Sequence, residues 1–451
     1  MPLSREIIDR TLATKQGEAA YAVTETMIDA GYECFWVGGA VRDMFVGQSP
    51  ADIDMAVSAK PEEVMKLFPK CDSSAAELGS VVVSLKGQTF ELTTFRSDHE
   101  ISDGRRPESV RFGTREEDAL RRDATINAMY WNPVSRELFD PCGGEADLKE
   151  KLVRFIGEPN VRIKEDALRI FRLVRLRALI DGQYHPETYS ALKENVALAG
   201  KLSGTRILEE LEKILQLKKP SKALTDLLEL GVLQEILPEL EACKGIAQPQ
   251  QYHHEGDVWN HLLQCIDAFT DDHGFDVRIA ALFHDIGKPK TFSLTDRIHF
   301  DKHAKVSAET AKSILHKLQM PSARSQKICW LIEHHMMMGA FKTLSDERKA
   351  HWYFHPWFRE LLQVMSLDIA GTDPADFELY DSIIKDYDEF LNAHPRPEKP
   401  LLKGEEVMQI LGIGSGEKVG KALQALHDAQ MRKEVTTKAE ARAFLTRRSD
   451  S

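Results

Sequence analysis

No run of about eighteen apolar residues occurs in this 451-residue chain, which excludes a membrane-spanning helix of ordinary length. The first residues, Met1-Pro2-Leu3-Ser4-Arg5-Glu6, lack the basic, apolar and small-residue succession of a secretion signal. The expectation is a soluble, cytoplasmic protein with no membrane partner. The six cysteines, Cys34, Cys71, Cys142, Cys243, Cys265 and Cys329, form no C-x-x-C pair. That argues against a disulfide framework and against a zinc ribbon, and leaves reduced thiols as the default. Internal repeats are absent. Net positive charge is absent too: the formal charge is -12, which runs against nucleic-acid binding until its distribution is considered. Between Lys151 and Ile180 eight basic residues face three acidic ones, and the stretch from Met431 onward is also net basic. A basic stripe on an acidic body fits a ligand with a phosphate backbone.

The length prior is about three domains. The first 140 residues read as α/β, with a helical pattern from Ser4 to Ala30 and apolar runs at Tyr32–Val37, Ile53–Val57, Val81–Leu85 and Thr89–Phe95. After Asp140-Pro141-Cys142-Gly143-Gly144 the glycine and β-branched signals thin out, and amphipathic helical spacing dominates to the end. Breaks are expected near Lys218-Lys219-Pro220 and Ala247-Gln248-Pro249-Gln250. The run His394-Pro395-Arg396-Pro397-Glu398-Lys399-Pro400 reads as a linker.

The most informative chemistry lies in Ala51-Asp52-Ile53-Asp54-Met55-Ala56-Val57. A strand period of two puts both carboxylates on one face and turns Ile53 and Met55 to the other. Two such carboxylates can hold a pair of Mg²⁺ ions. Paired divalent ions about 3.5–4 Å apart stabilise both the attacking and the leaving oxygen of an in-line displacement, which makes a nucleoside triphosphate the natural substrate. The preceding turn, Gly38-Gly39-Ala40-Val41-Arg42-Asp43, permits close backbone approach to phosphate. An exposed acidic strand end, the bland alternative, leaves that turn without a purpose.

Four co-linear segments now stand out: Gly38-Gly39-Ala40-Val41-Arg42-Asp43, Asp52-Ile53-Asp54, Arg121-Arg122-Asp123-Ala124-Thr125-Ile126-Asn127-Ala128 and Glu165-Asp166-Ala167-Leu168-Arg169. In order and spacing they resemble the motifs of class II tRNA nucleotidyltransferases, the CCA-adding enzymes, and bacterial poly(A) polymerases share them. The resemblance covers roughly the first half of the chain. It implies an α+β protein: a small mixed-sheet, DNA polymerase beta-like nucleotidyltransferase head, then an all-α neck and body. The implied partners are tRNA, CTP and ATP, and the implied cofactor is Mg²⁺. Asp52 and Asp54 would be the metal ligands, with Glu91 in Phe90-Glu91-Leu92-Thr93 as a third catalytic carboxylate. Gly38, Gly39 and Arg42 would lie against the nucleotide, Arg122 and Asp123 near its ribose and triphosphate, and Asn127 about one helical turn along the same segment.

Asp166 and Arg169 are three residues apart, so a helix would project an acceptor and a fork of donors from one face. In the family this pair hydrogen-bonds the Watson–Crick edge of the incoming CTP or ATP. The ordinary alternative is a weak surface ion pair. Arg172 and Arg175 continue the spacing toward triphosphate or tRNA, while Leu168, Phe171, Val174 and Leu179 supply the buried side. Asp103-Gly104-Arg105-Arg106-Pro107 looks like the family's flexible loop, whose Asp-x-x-Arg element, here Asp103 and Arg106, is implied in the switch to ATP.

Downstream, Ala281-Leu282-Phe283-His284-Asp285-Ile286-Gly287-Lys288 is preceded by His261 and followed by His303, His334-His335 and Asp368. Such ligands suit a divalent metal, Mg²⁺, Mn²⁺ or Ni²⁺. This set resembles the α-helical HD phosphohydrolase superfamily. The resemblance implies His261, His284, Asp285 and Asp368 as metal ligands, with His303 and His334 or His335 available for a second ion. An active centre would hydrolyse a phosphoester, such as a 2′,3′-cyclic phosphate at a damaged tRNA end.

The expected organisation is a head over 1–140, a helical neck carrying the nucleotide-template motif over 141–200, and a helical body over 201–249. An HD domain follows over 250–372, and a helical tail over 373–451 contacts tRNA. The leading reading is a complete CCA-adding enzyme that works without a nucleic-acid template and releases pyrophosphate. Its rivals are an A-adding enzyme, a bacterial poly(A) polymerase and, remotely, an HD phosphohydrolase with a decayed nucleotidyl domain. Decay predicts lost metal carboxylates, and Asp52 and Asp54 are intact.

Overall fold

The computed structural model describes residues 3–97, 111–249, 251, 253–341, 343–394, 400–431 and 434–449. Two compact units result, one of residues 1–241 with 317–319 and the other of residues 242–316 with 320–451.

The first unit opens with two helices rather than the single one read over Ser4–Ala30. Arg5–Leu12 is capped by the Ser4 hydroxyl, and Lys15–Asp29 by the Thr14 hydroxyl, which accepts the Gly17 N–H at 2.9 Å. Two successive N-caps satisfy two sets of free N–H groups, so the chain breaks between them. A Cβ on Gly17 would fall 1.9 Å from the Thr11 carbonyl oxygen, so this corner closes only on glycine. The helices cover a seven-stranded mixed sheet in the order Cys71–Asp72, Ser80–Leu85, Gln88–Thr94, Asp54–Val57, Cys34–Val37, Tyr130–Trp131, Leu138–Phe139. The four expected apolar runs are its inner strands. The last two strands, two residues each, are too short to leave a periodic signal.

Register places the chemistry. Cys34–Val37, buried along its whole length, pairs antiparallel with Asp54–Val57 so that Val37 faces Asp54. The chain leaves Val37 into Gly38, whose φ of +65° is open to glycine, and the helix Gly39–Phe45 begins at once. On the other side Asp54–Val57 runs parallel to Gln88–Thr94, pairing Met55 with Leu92 next to Glu91. Glycine turn, aspartate and glutamate therefore meet at one end of three adjacent strands.

The rest of this unit is helical, including Pro159–Glu165, Arg169–Ile180, Gly204–Leu215 and Pro220–Glu229. Buried ion pairs lock the long helix Arg169–Ile180 in place: Arg175 meets Glu210 at 3.1 Å, and Arg177 meets Asp226, which also accepts the Tyr184 hydroxyl at 2.6 Å. Its buried side is Ile170, Phe171, Leu173, Val174, Leu176 and Ile180. Leu179, expected among them, is exposed, because it lies beside the polar stripe as the helix ends at Asp181.

The second unit is helical apart from the hairpin Phe292–Leu294 with Ile298–Phe300, which the sequence reading missed. Five of its helices carry or end at the histidines and aspartates of interest: Val258–Asp267 with His261, Phe275–Phe283 ending at His284, His303–Lys317 beginning at His303, Ser322–His334 ending at His335, and Phe358–Ala370 with Asp368. The last three helices, Gly404–Leu411, Glu417–Met431 and Lys438–Ser449, share a core around Leu402, Val407, Leu426 and Leu445. Among the described residues no helix is long and apolar enough to cross a membrane.

Candidate active site

A cleft of about 660 Å³ opens at the strand ends of the first unit, lined by eight arginines and four carboxylates. The carboxylates Asp54 and Glu91 are among its lining groups. Loss of solvent around the Asp54 carboxyl raises its pKa above the ordinary value, and the charges of Glu91 and then Asp52 raise it further, with Arg122 opposing. Asp52 is exposed in the turn before the strand and does not line the cleft, although its charge reaches Asp54. The Asp54 carboxyl thus feels two neighbouring carboxylates, Glu91 and Asp52, and an all-oxygen set of this kind suits a hard divalent ion.

Around these carboxylates the arginines are held by a continuous polar network. Arg42 donates to Asp43 at 2.8 Å and to the Asn127 side-chain oxygen at 2.8 Å. Asn127 donates to Asp123 at 3.1 Å, and Asp123 receives Arg172 at 2.7 Å. Burial alone would raise the Asp123 pKa, but Arg172 and the Asn127 hydrogen bond bring it down to about 2. Arg122 donates to the Tyr130 hydroxyl at 2.8 Å and to Asp118 at 3.2 Å, with its guanidinium over the tyrosine ring. Buried Asp118 also binds Arg121 and accepts the Tyr130 hydroxyl at 2.6 Å. Arg96 differs from the rest. Its guanidinium donates to the Ser80 hydroxyl at 2.9 Å, its Nε is buried without a partner, and no described carboxylate lies within ion-pair range.

Asp166 and Arg169 both line the cleft, but not from one helix. Pro159–Glu165 ends at Asp166, whose backbone is extended, and Arg169 opens the next helix. The Asp166 carboxylate accepts the Leu168 N–H at 3.1 Å, so it stabilises the break instead of continuing the turn. Arg206 holds Asp166 at 2.9 Å, while Arg169 Nη1 donates to Glu165 at 2.5 Å and to the Arg162 carbonyl at 2.6 Å. The expected helix-face pair is thus two separately anchored groups. Arg172 and Arg175 are likewise engaged, with Asp123 and Glu210.

A second cluster lies in the other unit. His261, His284, His303 and His335 each direct Nδ1 at a backbone carbonyl, those of Gly371, Ala281, Phe300 and Ile332, at 2.7–3.0 Å. That fixes the Nδ1–H form and turns the Nε2 lone pairs inward. They meet at 3.2 Å between His261 and His284 and at 3.3 Å between His303 and His335. Asp368 reaches the first pair at 3.0 and 3.3 Å, and Asp285 spans both, 3.3 Å from His284 and 3.4 Å from His303. Neither buried Asp285 oxygen has a hydrogen-bond partner, though Lys288 Nζ lies 2.6 Å away. Inward lone pairs and an unsatisfied carboxylate fit a divalent metal. His334 does not join them: its Nδ1 meets the Trp330 carbonyl and its ring lies against Trp330, since adjacent helical residues face different ways.

Three known protein families match stretches of this chain. The Poly A polymerase head domain matches residues 34–154, the probable RNA and SrmB-binding site of polymerase A matches residues 183–244, and the HD domain matches residues 258–393. A CC-adding tRNA nucleotidyltransferase of Thermus thermophilus is 33% identical over 92% of this chain and 93% of its own length. The chain belongs to the tRNA nucleotidyltransferase family. An A-adding tRNA nucleotidyltransferase of Deinococcus radiodurans is 32% identical over 91% of this chain and 94% of that protein. The crystal structure of a Bacillus stearothermophilus CCA-adding enzyme in complex with CTP aligns with a TM-score of 0.69 at 25% identity, covering 96% of this chain and 97% of that one.

For this nucleotidyltransferase, one cleft gathers Gly38, Gly39, Arg42, Asp54, Glu91, Arg122, Asp123, Asn127, Asp166, Arg169, Arg172 and Arg175. Asp103, Arg105 and Arg106 lie outside the described residues, which resume at the ribbon pairing Arg96–Ser97 with Arg111–Phe112. Sequence reasoning missed Arg96, Arg121 and Arg206. Arg96 follows the strand that carries Glu91, and this was the available signal. Arg206 enters from a helix 40 residues beyond Asp166, with no local mark to announce it.

Proposed function

We propose that this nucleotidyltransferase adds C, C and A to the tRNA 3′ end from CTP and ATP, releasing pyrophosphate and reading no nucleic-acid template. The observation that carries the reading is one cleft holding both the Asp54 and Glu91 carboxylates and the Asp166 and Arg169 hydrogen-bonding groups. Bonding and base choice then occur in one place. Asp52, Asp54 and Glu91 would hold Mg²⁺. When bound, Mg²⁺ supplies charge neutralisation at the α-phosphate and lowers the pKa of the attacking 3′-hydroxyl. Gly38 and Gly39 let the backbone approach the phosphates, and Arg96, free of a described carboxylate, offers a cation to the triphosphate. Asp166 accepts and Arg169 donates at the base edge, a role open to them because the Asp166–Arg206 pair is about a third exposed and so exchanges readily.

Three tRNA transcripts, ending at the discriminator base, at C and at CC, test this with CTP, ATP or both. The wild type completes CCA on all three. Asp166→Ala accepts UTP and GTP, with discrimination falling about 10²-fold. A-only extension of the CC end would assign A addition instead; the A-adding relative, like the CC-adding one, is similar along nearly the whole chain.

The histidine and aspartate cluster supports a phosphoester hydrolase beside the transferase. The expected result is phosphate-ester opening at a 2′,3′-cyclic tRNA end by the wild type. His284→Ala loses it yet keeps full CTP incorporation; hydrolysis surviving that change would place the activity elsewhere.

A further inference from the structure

Cys265 lies one helical turn beyond His261 on Val258–Asp267, fully buried, with Sγ 3.5 Å from His261 Nε2. Its sulfur and one ligand atom each of His261, His284 and Asp368 all fall within 4.8 Å of one another. Metal–sulfur bonds of about 2.3 Å and metal–nitrogen or metal–oxygen bonds of about 2.0–2.1 Å give a tetrahedron with sulfur–nitrogen edges of about 3.5 Å and other edges of about 3.3 Å. The spacings here are 3.5 Å from Sγ to His261, 3.2 Å between the histidines, and 3.0 and 3.3 Å from Asp368 to them. The sulfur edge to His261 and the three edges among His261, His284 and Asp368 match that tetrahedron, and the remaining two sulfur edges lie within 4.8 Å.

Two further observations point inward. A Cβ on Gly371 would lie 2.2 Å from Sγ, so the chain closes on the sulfur from the far side, and the same Gly371 carbonyl receives His261 Nδ1. Buried Asp285 carries its Oδ2 3.3 and 3.7 Å from His284 and His261 Nε2, and the same oxygen is ion-paired with Lys288 Nζ at 2.6 Å.

We propose that Cys265 is a thiolate ligand of the ion held by His261, His284 and Asp368, and that its sulfur selects a thiophilic ion such as Zn²⁺, Co²⁺ or Ni²⁺ over Mg²⁺ or Mn²⁺. The inference rests on reading this cluster as a metal centre. On ligation the S–H proton leaves to solvent and a sulfur lone pair forms the metal bond, with no change of oxidation state. Softness of the donor accounts for the selectivity.

Anaerobic Co²⁺ titration of the full chain tests it. The wild type is expected to bind Co²⁺ with a sulfur-to-cobalt charge-transfer band in the near ultraviolet. Cys265→Ala and the near-isosteric Cys265→Ser lose that band and bind cobalt at least about tenfold more weakly, while Cys243→Ser keeps it. A hundredfold excess of Mg²⁺ leaves the wild-type spectrum unchanged. Cobalt bound without the band in the wild type, or the band persisting in Cys265→Ala, overturns the assignment of Cys265 alone. Absence of any cobalt binding sensitive to His284→Ala overturns the metal centre together with it.

Discussion

Asp54→Ala ends incorporation of both CTP and ATP on every tRNA end, with single-turnover rates falling by at least ~10⁴-fold, about 5–6 kcal/mol of transition-state stabilisation. The size follows from position. Asp54 begins its strand opposite Val37, at the mouth of the glycine turn, and it is the carboxylate on which the charges of Glu91 and Asp52 both act. The same electrostatics predict a second, opposite effect. Its pKa is raised in the folded chain, so its ionised form is disfavoured there, and stability from this group falls as pH rises through the folded value. At neutral pH and without metal, Asp54→Ala therefore keeps or slightly raises the thermal midpoint while activity vanishes. Calorimetry on the metal-free chain and quenched-flow extension measure the two sides. Retained CTP incorporation would remove Asp54 from the reaction, and a lowered midpoint would show that its carboxylate supports the fold.

What the sequence could carry was local periodicity. The patterns of Ile53–Val57 and Thr89–Phe95 announced the strands, because a strand projects side chains by a rule that needs no tertiary knowledge, but Asp52 lies in the turn before Asp54–Val57, where that rule does not apply. The same rule failed at Asp166 and Arg169. Spacing by three implies one helix face only if the helix continues, and here the Asp166 side chain bonds the Leu168 N–H and stops it. Arg206, Asp118 and Tyr130 were invisible for a different reason. Each acts across a contact between segments far apart in the chain, as Arg206 does in meeting Asp166. Among the histidines, His335 and not His334 enters the cluster, a distinction fixed by helix rotation within a packed core.

Arg172→Ala should lower stability at neutral pH by about 2–3 kcal/mol, since it leaves the buried Asp123 carboxylate without its main counter-charge. The figure sits below the usual range for a broken buried pair because Arg172 is itself 39% exposed and Asp123 keeps its bonds from Asn127 and Ala124. The pH dependence separates charge from packing. Asp123 has a folded pKa of about 2, depressed from an ordinary 3.8, so its contribution of roughly 2 kcal/mol is fully present above about pH 4 and is lost as pH falls toward 2. Denaturant midpoints of wild type and Arg172→Ala should therefore converge across that window. A difference that stays constant from pH 7 to pH 2 would mean Arg172 acts by packing. The loss also reaches the nucleotide. Arg172, Asp123, Asn127 and Arg42 form one chain of contacts at 2.7, 3.1 and 2.8 Å, running from the helix that carries Arg169 to the turn at Gly38 and Gly39. Releasing its first link frees Asn127 and then Arg42, so KM for CTP and ATP should rise together by about tenfold, with base choice unchanged. A shift in base choice without a shift in KM would place Arg172 with Asp166 at the base edge rather than with Arg42 at the phosphates.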